Sequence, residues 1–221
     1  MQKFDTPTPI AAALDIPAGR VRFIAADRAD TTVEVLPADA SNGRDVKAAE
    51  QATVEYGAGV LRIAASPNNR ILGSRGSIEV TVQLPTGSRV AAKAASAEFR
   101  AVGRLGDVEF DGSQASIKLD EAASARLNTL DGDVSVGRLG GSGQIRTRKG
   151  DIQVAEAMHG TVVLRTEAGT ISVGAAAGVS ASLDAGTTHG RIHNALKNTE
   201  GAADLNIQAT TAYGDIVARS L

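Results

Sequence analysis

The sequence is dominated by a short motif that returns seven times between residues 97 and 218. Each copy opens with a small residue, and successive openings are 18, 17, 18, 19, 21 and 24 residues apart. A short, nearly constant period of this kind indicates a repeat protein in which each repeat stacks on its neighbours. The openings are Ala97, Ala115, Gly132, Gly150, Gly169, Gly190 and Gly214.

Apolar and polar residues alternate within each copy of the motif. The positions one and three residues after the opening are mostly polar, and the segment before each opening alternates in the same way. A period of two is typical of a strand with one face in water. The pattern therefore predicts two strands and two corners in each repeat. The apolar position two residues after the opening holds Phe99, Ile117, Val134, Ile152, Ile171, Ile192 and Ile216.

A single repeat is too small to bury its apolar positions, so the repeats must stack and pair strand with equivalent strand. We therefore predict an all-β fold, a parallel β-solenoid with about two strands per coil of 17–24 residues. Residues 89–221 form the regular solenoid. Residues 1–88 form an irregular β-rich cap packed on it, with a short helix at 45–51 and a polar loop at 66–76, and the whole is one continuous structural unit.

Composition and charge exclude several classes of protein. The net charge is −2, so the chain as a whole has no attraction to nucleic acid or to an anionic membrane. There is no cysteine, hence no disulfide and no thiolate metal site. The first residues lack an apolar signal region and no run is long enough to span a membrane. We expect a cytoplasmic protein, or a surface or secreted one if the N-terminus has been truncated.

The end of the chain predicts an open edge. The last coil ends at Ala218, and a terminal coil presents unpaired strand groups unless something covers it. Residues 195–204 form a polar insert that could fold over this end. The alternative is that the last coil docks a protein partner or a second copy, through Tyr213, Ile216 and Val217.

Several segments resemble a known family. Residues 187–196 (TTHGRIHNAL) and 209–216 (ATTAYGDI) look like the C-terminal signature of the "putative adhesin" β-strand-repeat family, also known as domain of unknown function 4097. Residues 4–10 (FDTPTPI) and 49–56 (AEQATVEY) look like its actinobacterial branch. The resemblance covers nearly the whole chain. It implies a right-handed parallel β-solenoid and carries over no activity and no catalytic residue.

Three recurring polar features have structural interpretations. Gly-Asp at 132–133, 150–151 and 214–215 suits a corner, where a calcium ladder is the alternative. His189 and His193 are four residues apart, but Gly190 and a corner intervene, so we predict no metal site. A threonine column shares the register of Ile145 and Leu164 and is predicted to point inward, rather than forming an outward array for ice or sugar. Its members are Thr129, Thr147, Thr166, Thr187 and Thr211.

Five basic residues are predicted to share one outward face in consecutive coils. They could form a strip that binds a polyanion or an acidic partner, or a solvated face balanced by Asp133, Asp151 and Glu167. No aromatic residue interleaves with them to stack on bases, so we predict no nucleic acid partner. The five are Arg126, Arg146, Arg148, Lys149 and Arg165.

The sequence presents no recognisable catalytic group. Asp107, Glu109 and Asp111 come nearest to the convergent carboxylates of a glycan-active enzyme, but Val108 and Phe110 alternate with them as in an ordinary strand. We predict a non-enzymatic interaction or scaffold module without a cofactor, which binds through a flat sheet face or the C-terminal coil edge. The alternatives are a carbohydrate-binding or adhesin-like protein and, third, a glycan-active enzyme.

Overall fold

The computed structural model describes residues 1–65, 76–198 and 202–221. It consists of two compact units, Met1–Ala115 and Ser116–Leu221, and their boundary falls inside one long strand. The boundary predicted between residues 88 and 89, at the start of the regular sequence pattern, stays a prediction. The polar loop predicted at 66–76 lies, apart from Gly76, outside the described residues.

The first unit contains six complete strands and one helix among its described residues, and the long strand begins in it. The elements are β1 (Gln2–Asp5), β2 (Ala11–Ala26), β3 (Asp30–Pro37), α1 (Gly43–Glu50), β4 (Ala52–Gly57), β5 (Val60–Ala65), β6 (Ile78–Pro85) and β7 (Arg89–Asn128).

The centre of the first unit is β2, which pairs in parallel with β5, β6 and β7. β1, β3 and β4 add antiparallel ladders, which makes this part irregular as predicted. Three phenylalanines fill the core: Phe99 lies between Phe23 and Phe110, with ring centroids 5.7 and 5.2 Å away. Each is fully buried, and burial of such a side chain stabilises the fold by about 1.5–3 kcal/mol.

The predicted helix is confirmed within two residues of its expected bounds. The Asn42 side chain caps α1 by accepting a hydrogen bond from the Arg44 N–H, which satisfies one of the free donors at a helix start. The buried Asp45 carboxylate accepts from the Ser77 N–H at 2.8 Å. This bond ties the helix to the residue just before β6.

The second unit is a stack of parallel coils, which confirms the predicted solenoid pattern of about two strands per coil. Its elements after β7 are β8 (Val134–Leu139), β9 (Gly143–Arg146), β10 (Ile152–Ala157), β11 (Gly160–Arg165), β12 (Ile171–Ala175), β13 (Ala181–His189), β14 (Ile192–Ala195), β15 (Leu205–Tyr213) and β16 (Ile216–Ser220).

Equivalent positions of successive coils pair with one another, as the repeat predicts. Ile152 pairs with Val134 on one side and with Ile171 on the other. Five members of this column, Ile117, Val134, Ile152, Ile171 and Ile216, are at most 1% exposed. The alternation in sequence thus becomes a continuous apolar column along the stack of coils.

The order of the last coils differs from their order in the sequence. β16 pairs with β12 on one side and with β14 on the other, and β15 likewise pairs with both β11 and β13. The C-terminal coil is therefore inserted between the two coils that precede it in the chain. Within the described residues, β13 and β14 form the end of the stack.

Asn194 supplies the physical reason for this order. It occupies the column position that Val136, Val154 and Val173 hold in other coils and that Ala218 holds in the last coil. A buried amide without a partner is costly. At the end of the stack Asn194 is exposed, whereas Ala218 is fully buried in the internal coil.

Candidate functional site

Two arginines lie side by side on an outward face of the second unit. The parallel register of β9 and β11 places Arg146 directly beside Arg165. Both side chains are exposed, while the preceding residues Ile145 and Leu164 are fully buried. Neighbouring strands are about 4.8 Å apart, so the two guanidinium groups project from adjacent backbones.

These two arginines have no counter-charge within ion-pair distance among the described residues. Neither Arg146 nor Arg165 forms an ion pair with any other described residue. Like charges on directly neighbouring strands disfavour pairing. They also create a local positive potential, which attracts anions. We use the name basic face for Arg146 and Arg165 together with the outward side chains around them on β7, β9, β11, β13 and β15.

The other three predicted members of the strip have different surroundings. Arg148 pairs with Glu167 at 3.4 Å, and both side chains are 65% exposed. Lys149 is exposed at the corner that follows. Arg126 lies beside Gln144 in the neighbouring column. Of the five residues, the structure thus brings only two into direct register.

Amides and hydroxyls surround the arginine pair. On β15, Thr210 is in register with Arg165, and Gln208 is two positions earlier on the same face. Sequence reasoning missed these residues, although they follow the same outward alternation as the arginines. The exposed or half-exposed uncharged polar positions of the face are Asn128, Gln144, Thr161, Ser182, Asn206, Gln208 and Thr210. Two further charged side chains lie on the same face, Arg126 beside Gln144 and the carboxylate of Asp184 beside Gln208.

The threonine column points inward, as predicted. Four of its members are at most 5% exposed, and Thr187 at the end of the stack is half-buried. Their hydroxyls link coils by donating to glycine carbonyls. The bonds are Thr147 to Gly132 (3.3 Å), Thr166 to Gly150 (3.1 Å), Thr211 to Gly169 (3.0 Å) and Thr187 to Gly214 (3.0 Å).

The Gly-Asp corners use their carboxylates to join coils. Asp133 accepts from the Asp151 N–H at 2.8 Å, and Asp151 accepts from the Thr170 N–H at 2.7 Å. Asp215 does the same with the Arg191 N–H at 2.8 Å, and this bond holds the pKa of Asp215 below its usual range. The arrangement supports the corner interpretation, with bonds between coils rather than within one turn.

The predicted position of the C-terminal docking edge is wrong. Ile216 is fully buried and its N–H donates to the Arg191 carbonyl at 2.9 Å, because β16 lies between two strands. Val217 is half-buried in the same internal strand. Tyr213 is 61% exposed but ends the equally internal β15.

The edge is formed instead by β13 and β14. Ile192 is 45% exposed although it belongs to the buried isoleucine column. In the two neighbouring coils, the equivalent residue donates its backbone N–H to a carbonyl of the next coil toward this edge: Ile171 to Asp215 and Ile216 to Arg191. No further described coil stacks beyond the coil of Ile192, so the backbone N–H of Ile192 faces the open edge.

Part of the polar insert at 195–204 lies outside the described residues. Its described start runs beside the edge coil. The Lys197 carbonyl accepts from the Ala181 N–H at 3.2 Å, and the Lys197 N–H donates to the Ser220 hydroxyl at 2.9 Å. The prediction that the whole insert covers the edge stays a prediction.

The two histidines near the last corner have separate surroundings. The His189 ring stacks on the Tyr213 ring, with centroids 4.8 Å apart and planes 11° from parallel. His193 follows in β14, beside Val217. No group of three or more metal-ligating side chains occurs among the described residues.

The first unit contains an open cavity of about 300 Å³ lined by charged residues. Asp15 and Lys93 are neighbours across β2 and β7, and Asp111 lines the same cavity. The ammonium group of Lys93 offsets the negative charge of these carboxylates. Of the acidic group considered in the sequence, Asp107 pairs elsewhere, with Arg89 at 3.3 Å.

The sequence model of one family, described as Toastrack DUF4097, matches residues 79–218. The chain belongs to the Toastrack DUF4097 family. The match includes the arginine pair, the threonine column and both edge strands. This confirms the resemblance found in the sequence, and the Toastrack fold is the β-solenoid-like fold described above. No curated protein sequence matches this Toastrack chain.

Solved structures similar to this Toastrack chain include three bacterial proteins. One from Bacteroides fragilis, described as a "putative adhesin", is 12% identical, covers 98% of this chain and 95% of its own, and has a TM-score of 0.58. A "putative adhesin" from Parabacteroides distasonis is 13% identical over 100% and 95%, with a TM-score of 0.49. A "putative cell adhesion protein" from Clostridium sporogenes is 10% identical over 100% and 98%, with a TM-score of 0.48.

The likeness to the Bacteroides fragilis protein shows a shared fold. Among the described residues of this Toastrack chain, no helix has the length and apolar character needed to cross a membrane. The compartment expected from the start of the sequence stays a prediction.

Proposed function

We propose that this chain is a non-enzymatic interaction module that binds an anionic partner through its basic face. The observation that carries the proposal is the pair Arg146 and Arg165, which are in register, exposed and without an ion pair to any residue that the structure describes. A guanidinium group binds carboxylate, sulfate or phosphate oxygens through two parallel N–H donors. Two such groups on adjacent strands present a short ladder of donors to one ligand.

The distribution of charge supports a local site rather than general attraction. The whole chain carries a net charge of −2, so a polyanion is not drawn to the protein as a whole. Two other arginines of the second unit are paired, Arg138 with Glu156 at 3.3 Å and Arg191 with Asp215 at 3.3 Å. The Bacteroides fragilis protein of similar fold is described as a "putative adhesin", which is also a non-enzymatic binding role.

Three soluble polyanions test the proposal: dextran sulfate, polygalacturonate and polyglutamate, titrated by calorimetry at low ionic strength. The variant pair Arg146→Gln and Arg165→Gln should weaken binding of any polymer that binds by about tenfold or more, because each lost charge-assisted hydrogen bond removes more than 1 kcal/mol. The control pair Arg138→Gln and Arg191→Gln removes the same two charges and should change affinity less than about twofold.

Two results would overturn the proposal. One is that none of the three polymers binds the wild-type protein. The other is that both variant pairs weaken binding equally, since this would reflect net charge alone. Circular dichroism and urea midpoints of each variant separate loss of binding from loss of fold.

A second candidate function is self-association at the edge formed by β13 and β14. The specific observation is the exposure of Ile192, which continues a column that the other coils bury. A second copy presents the same apolar row and the same unpaired strand, so two edges could pair.

Solution mass by light scattering tests this second candidate. The wild type should be a dimer, Ile192→Lys should be a monomer, and Leu130→Lys should remain a dimer because Leu130, 50% exposed, lies at a different corner. A wild-type protein that is monomeric at high concentration excludes self-association at this edge.

A further inference from the structure

We infer that the anionic partner of the basic face is an acidic polysaccharide. The inference rests on the proposed function and adds the chemical class of the ligand. It is carried by the side chains around Arg146 and Arg165, most of which are amides and hydroxyls; Val163 and the carboxylate of Asp184 also lie on this face. Such a mixture of donors and acceptors matches a polymer that bears both oxyanions and many hydroxyl groups.

The polar positions form rows that continue across the strands. Gln144 on β9 and Gln208 on β15 lie in one column, separated by Val163. Arg146, Arg165 and Thr210 lie in the next column. The first column therefore presents amides, and the second presents guanidinium and hydroxyl groups, on neighbouring coils. A ligand that lies across the strands contacts these groups one after another.

A third polar column lies farther along the same face. Thr161 and Asn206 are in register, and Asn206 is also in register with Ser182. The Ser182 hydroxyl donates to the Asn206 side-chain oxygen at 2.8 Å. The Asn206 amide nitrogen keeps its two donors for other acceptors. The hydroxyls of a sugar ring can both accept from amide nitrogens and donate to amide oxygens.

The spacing of the coils suits an extended polymer. The rise from one coil to the next is about 4.8 Å, roughly the length of one sugar residue in a chain. A polysaccharide that lies along the stack can place successive residues on successive coils. Its oxyanions then meet Arg146 and Arg165, while its ring hydroxyls meet the flanking amides.

The same face fits nucleic acid poorly. Recognition of single strands depends on aromatic side chains on which the bases stack. From residue 116 onward the sequence has a single aromatic residue of the Phe, Tyr and Trp class, Tyr213, and its ring is stacked with His189. An acidic protein segment would use the two arginines but would leave most of the polar rows without partners.

The experiment compares polygalacturonate with polyglutamate of equal charge number on the full chain. We expect the polysaccharide to bind at least about tenfold more tightly, since several amide hydrogen bonds add to the ion pairs. The variant pair Gln144→Ala and Gln208→Ala should weaken polygalacturonate binding about fivefold or more and change polyglutamate binding less than twofold. Gln153→Ala, an exposed glutamine on β10, is the matched control and should change neither.

The outcomes separate the inference from the proposal on which it rests. Equal binding of both polymers, tighter binding of polyglutamate, or no effect of the glutamine variants would overturn the polysaccharide inference and leave the anion-binding proposal standing. Failure of both polymers to bind, or binding that is insensitive to Arg146→Gln and Arg165→Gln, would overturn both. Unfolding midpoints of the variants verify that each comparison is made on folded protein.

Discussion

The hydroxyl of Thr166 donates a hydrogen bond to the carbonyl oxygen of Gly150 at 3.1 Å, and this bond joins one coil to the coil before it. Thr166 is only 5% exposed, so the hydroxyl and the carbonyl satisfy each other away from water. The same relation recurs in three further coils, Thr147 with Gly132, Thr211 with Gly169 and Thr187 with Gly214. The threonine column is therefore part of what holds the stack together.

Replacement of Thr166 by valine should destabilise the protein by about 1 kcal/mol, because the shape is kept while one buried hydrogen bond is lost. Urea unfolding at neutral pH measures this change. Thr210→Val is the matched control, since Thr210 is exposed on the neighbouring strand β15. An equal change in both variants would mean that the buried bond contributes nothing specific.

Replacement of Gly150 by alanine should be more damaging. Gly150 has a φ of +140°, and an added Cβ would lie 2.3 Å from the Gly132 carbonyl oxygen. Backbone strain and steric overlap together should reduce the free energy of unfolding by about 2–4 kcal/mol.

Gly186 provides the control for this glycine. A Cβ at Gly186 has no atom within 4 Å, so Gly186→Ala should change stability by less than about 0.5 kcal/mol. Thermal melting of both variants gives the comparison. If Gly150→Ala were as stable as Gly186→Ala, the close approach of the two corners would not hold in solution.

The inserted position of the last coil predicts different effects at equivalent residues. Ala218→Asn should destabilise the protein by about 2–4 kcal/mol, because it buries an amide between two coils. Asn194→Ala, at the exposed end of the stack, should have little effect. Chemical unfolding of the two variants checks the order of the coils: the linear order would place Asn194 inside and reverse the result.

Asp30 should make stability depend on pH in the acid range. Hydrogen bonds from Arg28, then Lys3, lower the pKa of Asp30 to about 2. A carboxyl group whose pKa is lower in the folded state stabilises the protein above its unfolded pKa, and this contribution is lost as pH falls through the folded pKa. The relevant window is therefore about pH 4 down to pH 2.

The Asp30→Asn variant tests this dependence. Its urea midpoint should lie below that of the wild type at pH 6, and the difference should shrink as pH falls from 4 to 2, where the wild-type carboxyl becomes protonated. Glu55→Gln, a carboxylate on the exposed side of β4, serves as the comparison for general loss of negative charge. A wild-type advantage that stays constant across this window would contradict the role of Asp30.

Much of the candidate site could be predicted from local pattern. Alternation places Arg146 outward because Ile145 and Thr147 point inward, and the repeat places Arg165 in the same row one coil later. Ion pairing was harder to predict: Arg148 is paired with Glu167, whereas Arg146 and Arg165 have no such partner in the described part of the chain. Which charges find counter-charges depends on side-chain positions at a corner, and these do not follow from a period of two.

The sequence by itself determined the parallel coils, the inward threonines and the outward arginines, because these follow from which residues a two-sided strand can bury. It also carried the family resemblance that the Toastrack match confirms. Only the tertiary structure decided the order in which the last coils stack. Coils of similar period are interchangeable in a linear pattern, and the choice depends on burial: Ala218 is buried between two coils, while the Asn194 amide is exposed at the open end.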